Sequence, residues 1–271
     1  MTETITTFQP SFMQKLLGRN YKWWYFIIYN LKSSLAYRST AIFLVVRDLI
    51  PLFISLTIYG SFLESKDFLI YFLLGNLFFK FITLFADVIW GISSSIKYGS
   101  LSNNLLLPTA WLNYKFFSVI GGNFFTVFLN FTTFILLIFF YQLRLSLSLN
   151  FLLLLPSLII AVIIYFCTDL IVASVTFWTP ETEVLIEIKT MLLPLLSGAL
   201  IFLNTNQVTN SFANLPWSYL VHHPMQIYLG KYSPLETLYV FLGGIAWCVV
   251  LYLLAKWVFK MGLKRNESVG L

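Results

Sequence analysis

The chain has 271 residues, of which 59% are hydrophobic, 19% aromatic and only 10% charged, with a mean hydropathy of +0.82. Soluble domains hold about 45–50% apolar and about 25% charged residues. This composition therefore excludes intrinsic disorder, a collagen-like repeat and a disulfide-stapled secreted domain, and leaves an integral membrane protein. The net charge of +6 is the excess expected of cytoplasmic helix flanks and does not call for nucleic acid.

The first 40 residues lack the pattern of a cleavable signal peptide. Residues 12–37 mix Tyr21, Trp23, Trp24, Tyr25 and Phe26 with Lys15, Arg19, Lys22 and Lys32. Aromatic and basic residues together suit an interfacial lead-in helix in the headgroup plane. A spanning helix needs about 20 mostly apolar residues. On that basis six spans are predicted: Thr40–Phe62, Phe68–Ile92, Asn113–Tyr141, Leu149–Phe177, Ile188–Leu203 and Leu235–Phe259. The fifth is short, holds Pro194, and extends back toward Val184 or on into the following loop. No run alternates as barrel strands would, so the fold class is an all-α integral membrane protein.

Basic residues set the orientation. One face carries twelve Lys and Arg, including Lys97, Lys115 and Lys189, against three on the other, Lys66, Arg144 and Lys231. The excess places both termini in the cytoplasm. Two connections are long. The cytoplasmic one, Ser93–Leu112, has a glycine break at Gly99, Leu101 and Leu105 on one helical face, and a stop at Pro108. That pattern predicts a short helix that a soluble partner can grip. The external one, Asn204–Pro234, stays rich in aromatic and apolar residues. It predicts a segment that re-enters the membrane or caps the bundle. No internal repeat is visible.

The sharpest chemical anomaly is Lys80, in the middle of the second span, where a charge costs about 2.5–3.5 kcal/mol on insertion scales. Asn76, Lys80, Thr83 and Asp87 follow at i, i+4, i+7 and i+11 and share one helical face. This stripe is read as the wall of a translocation path, a subunit contact or a satisfied structural cluster, with Lys80 and Asp87 each meeting partners on another helix or a second copy. Arg47 and Asp48 are adjacent and point apart, with Arg47 snorkelling to the headgroups. Asp169 is buried in the fourth span without an obvious partner. His222 and His223 stand in the external loop with no Cys, Asp or Glu near them in sequence, so no metal site is assigned. Cys167 and Cys248 lie in apolar runs. Gly230-Lys231 would need a glycine at position 225 to make a P-loop, and Met225 is there. The chain alone does not hydrolyse nucleotides.

Several strings in order carry a family resemblance: Leu35-Ala36-Tyr37-Arg38, Gly99-x-Leu101 to Leu105-Leu106-x-Pro108, Phe177-Trp178-Thr179, Leu192 to Ile201, Pro224 to Gly230, and Gly262 to Arg265 with Val269-Gly270. Together they resemble a bacterial branch of the ABC-2 type transporter permeases, and the resemblance covers nearly the whole chain. It implies a single transmembrane domain over 1–271 in the bacterial plasma membrane, the permease half of an ATP-binding-cassette exporter. Two copies of a separately encoded ATP-binding subunit and a second permease, identical or homologous, are the implied partners. ATP and Mg²⁺ belong to the ATPase, and no cofactor is expected in this chain. The implied cargo is amphipathic or hydrophobic: a drug, lipid or glycolipid. Readings from other classes are a membrane-embedded lipid-modifying transferase with His222 or His223 as base, and a non-transporting membrane scaffold.

Overall fold

A computed structural model describes residues 21–36, 38–62, 66–101, 111–143, 149–179, 181–200 and 211–269. The helices are α1 (Tyr21–Ala36), α2 (Arg38–Phe62), α3 (Lys66–Ala86), α4 (Ile89–Lys97), α5 (Trp111–Phe140), α6 (Leu149–Leu152), α7 (Leu154–Ser174), α8 (Glu183–Ser197), α9 (His222–Tyr228) and α10 (Pro234–Val269). Single 3₁₀ turns, Val175–Phe177 and Pro216–Leu220, close α7 and precede α9. Among the described residues, four stretches are long and apolar enough to cross a membrane: Phe68–Lys97, Lys115–Phe140, Asn150–Phe177 and Pro234–Arg265. They coincide with the second, third, fourth and sixth predicted spans. In apolar surroundings only a helix satisfies every backbone group within its own segment, so these runs have one solution.

The second predicted span is not continuous. It breaks at Asp87–Val88, between α3 and α4, and resumes with Val88 as the N-cap of α4. The fifth also differs from its predicted bounds. α8 begins at Glu183 and ends at Ser197, where Gly198 takes a left-handed φ of +83° and the Ala199 amide donates back to the Pro194 carbonyl at 3.1 Å. Its 15 residues reach only about 22 Å, short of the roughly 30 Å hydrocarbon core. The chain beyond it folds back as Pro216–Leu220 and α9, and every residue of α9 is buried. The described part of the segment predicted to lie outside is thus packed into the bundle, with Ser218, His222, His223 and Gln226 buried among its apolar residues.

α7 is the central helix, packed against α3, α4, α10 and the Pro216–Leu220 turn. α10 lies against it closely enough that a Cβ on Gly244 would sit 3.0 Å from Ile160. The lead-in helix α1 packs on α5, its Ile27 backbone pressed on Gly121, where a Cβ would meet the Ile27 Cα at 2.8 Å. Residues 12–20 of the lead-in lie outside the described residues.

Candidate functional site

Lys80, Asn76 and Thr83 leave α3 on the same face and line an open cavity of about 320 Å³. α2 adds Asp48, Leu49 and Leu52, α5 adds Asn130, Thr133, Phe134 and Leu137, and the end of α8 closes it with Pro194, Ala199 and Leu200. Lys80 does meet a partner on another helix: its ammonium pairs with Asp48 Oδ2. The expectation that Arg47 and Asp48 point apart is corrected, since Arg47 Nε and Nη2 donate to Asp48 Oδ1 at 3.2 and 3.1 Å. The long Arg stem wraps back to its neighbour, which spacing on a helical wheel does not anticipate. Asn76 Nδ2 donates to the Phe72 carbonyl at 2.8 Å and across to the Ala199 carbonyl at 3.2 Å, joining α3 to the unwound end of α8. Thr83 satisfies its hydroxyl within its own helix by donating back to the Lys80 carbonyl.

Asp87 does not join this group. The helix ends at Ala86, which carries Asp87 off the stripe to an exposed position at the break. The break has its own buried polar centre, and the sequence reading saw only half of it. Asp169, on α7, accepts the Val88 and Ile89 amides at Oδ2, at 3.0 and 3.2 Å. These are the first unpaired donors of α4, and a carboxylate there also complements the helix dipole. Asp169 Oδ1 pairs with Lys189 Nζ of α8 at 2.5 Å, and Lys189 donates to Tyr165 Oη at 2.8 Å. Lys189 is therefore buried in the bundle and not one of the flank residues that set orientation. The available signal is a lysine inside an apolar run opposite an unpaired aspartate in the preceding span.

Lys97 Nζ donates to Glu183 Oε1 at 2.8 Å and ties the end of α4 to the start of α8. The hydrogen bond and the charge of Lys97 hold the Glu183 carboxyl below its ordinary value. Beyond it the chain turns at Gly99, whose φ of +72° favours glycine, with Tyr98 exposed. Leu101 is fully buried in this chain's own core, so its side chain anchors the turn inward. Leu105 and Pro108 lie outside the described residues.

The two histidines open α9, every residue of which is buried. His223 Nε2–H donates to the Ala213 carbonyl and Tyr232 Oη donates to Nδ1, both at 2.9 Å; the carbonyl can only accept, which fixes the tautomer. His222 is buried, and among the described residues neither of its ring nitrogens has a hydrogen-bond partner. Burial pushes the His222 imidazole down to about 3, with help from His223, and His223 down to about 4 against a raising bond from Ala213. Among the described residues no cluster of His, Cys, Asp or Glu could hold a metal.

Bundled apolar helices, a broken span and a polar pair at membrane depth define a multi-pass membrane protein. The model of a family described as ABC-2 family transporter protein matches residues 56–270, and the chain belongs to that family. No curated protein and no solved structure matches it. Family membership implies an ATP-hydrolysing partner, and a permease role in place of catalysis.

Proposed function

We propose that this chain is the membrane-spanning half of an ATP-driven exporter, moving an amphipathic or hydrophobic substrate (drug, lipid or glycolipid class) outward. Six spans with both termini in the cytoplasm, a second permease copy or homologue, and two ATP-binding subunits that supply ATP and Mg²⁺ complete the assembly. The observation that carries the reading is the cavity between α2, α3 and α5. It joins apolar walls to charged and amide side chains at membrane depth, a combination that is costly unless used or paired. The cytoplasmic turn at Tyr98–Gly99, with Leu105 and Pro108 beyond it, is the proposed ATPase contact, and the Lys97–Glu183 pair passes its motion to α8. A base-catalysed transferase needs an accessible imidazole, and neither histidine offers one.

The test is Lys80→Leu in the permease–ATPase complex reconstituted in proteoliposomes. Insertion should be unchanged or improved, because a costly charge leaves the membrane, while transport and substrate-stimulated ATP hydrolysis fall. Full activity at normal expression would return Lys80 to a structural role. Cysteines placed at Asn206 and Ser268 test orientation: an impermeant reagent added outside should modify the first and spare the second.

A further inference from the structure

The charges gathered around Asp48 do not balance. Asp48 is a single carboxylate shared by two cations, with Oδ1 taking Arg47 and Oδ2 taking Lys80. Both of its oxygens are engaged, and one positive charge is left over. The ammonium carries three donors and the guanidinium five. Among the described residues Asp48 is the sole carboxylate within 4 Å of either. Apart from these charges and the polar side chains of Asn76, Thr83, Asn130 and Thr133, the cavity wall is hydrocarbon, with Leu49, Leu52, Leu73, Leu77 and Phe134 among its residues. A volume of about 320 Å³ is roughly ten waters' worth of space and at the low end of ligand pockets, which suits one chain better than a bulky ring system.

We infer that this cavity selects an anionic amphiphile, a phosphate- or carboxylate-headed molecule with a single apolar chain, whose headgroup takes the place of the second anion between Lys80 and Arg47. The inference rests on reading the cavity as the substrate path and adds the sign of the cargo's charge. Asp48 has two roles in it. It keeps the cations from being uncompensated in the empty cavity, and it weakens the hold on the headgroup enough for release. Lys80, which lines the cavity, sets the depth of the headgroup; Arg47, more exposed and held beside it through Asp48, meets it first.

The experiment uses the full chain in phosphatidylcholine nanodiscs, with Cys167→Ser, Cys248→Ser and a reporter Thr133→Cys in the cavity wall. Modification of that thiol by N-ethylmaleimide is followed with dodecyl phosphate, dodecyl maltoside or inorganic phosphate present. Dodecyl phosphate should protect at a concentration about tenfold below dodecyl maltoside, the scale of one charge-assisted hydrogen bond, and inorganic phosphate should not protect. Lys80→Met should raise the protecting concentration of dodecyl phosphate about tenfold, Lys80→Arg should hold it, and Asp48→Asn should lower it by leaving two surplus charges. Should Lys80→Met fail to insert, the headgroup series and Asp48→Asn decide alone. Equal protection by maltoside and phosphate heads would overturn the charge selection and leave the transport path standing. Protection by inorganic phosphate as strong as by its dodecyl ester would make this an anion site and not an amphiphile site. If no amphiphile protects, the cavity is not a binding site and both readings fall.

Discussion

Two Asp–Lys pairs lie within the bundle, and their surroundings give them opposite roles. Asp169–Lys189 has side chains 0% and 6% exposed. Asp169 Oδ2 takes two α4 amides, Oδ1 takes the ion pair, and the ammonium also donates to one tyrosine hydroxyl. Asp48–Lys80 has side chains 25% and 31% exposed and opens on a cavity, with a second cation competing for the same carboxylate. A fully buried pair is a clamp, since removing either member strands a charge where water cannot reach it. A partly exposed pair with charge to spare suits the role proposed for it, receiving something mobile. The same two residue types become structure or site according to how many donors their neighbours leave over.

The largest expected effect comes from breaking the clamp. Lys189→Met should cost about 3–5 kcal/mol by stranding the Asp169 carboxylate, read as a collapse of the unfolding midpoint in mild detergent. Adding Asp169→Asn should recover much of that loss, because the stranded charge is gone. Lys80→Met should show no comparable loss, and equal damage from the two lysine variants would dissolve the distinction. The next effect tests burial without an ion pair. His222 and His223 have folded values near 3 and 4, below the ordinary 6.5, so the unfolded chain binds more protons in that interval. Their stabilising contribution is complete above pH 6.5 and is lost as pH falls through that interval toward 4 and 3, at about 1.4 kcal/mol per pH unit for each histidine. The thermal midpoint should drop between pH 7 and 5, and His222→Leu should flatten the slope while leaving stability at pH 7 intact. Tyr165→Phe is smaller, at about 1 kcal/mol for one hydrogen bond, and sharpens the comparison by leaving the Asp169–Lys189 pair in place with an unused donor. Smallest for the fold is Lys97→Ala, in the exposed Lys97–Glu183 pair. The melting temperature should not move, while ATP-coupled transport falls. A stability loss there would make the Lys97–Glu183 pair a second clamp and not a coupling strut.

Helix positions were legible where the physics is local. A run of about 20 apolar residues specifies a span by itself, and Phe68–Lys97, Lys115–Phe140, Asn150–Phe177 and Pro234–Arg265 fall where hydrophobicity predicts. The stripe Asn76, Lys80, Thr83 was legible too, because helical spacing alone aligns it. Asp87 left the stripe because the helix breaks before it. That break is capped by Asp169, 81 positions from Val88 along the chain, and no local rule places a cap that far away. Lys189 counted as a flank cation until α7 brought Asp169 and Tyr165 to it. Short-range steric and solvation preferences determine where this chain is helical. Which charges are sealed, and which remain open to a ligand, depends on partners supplied by other helices, and only packing in three dimensions assigns them.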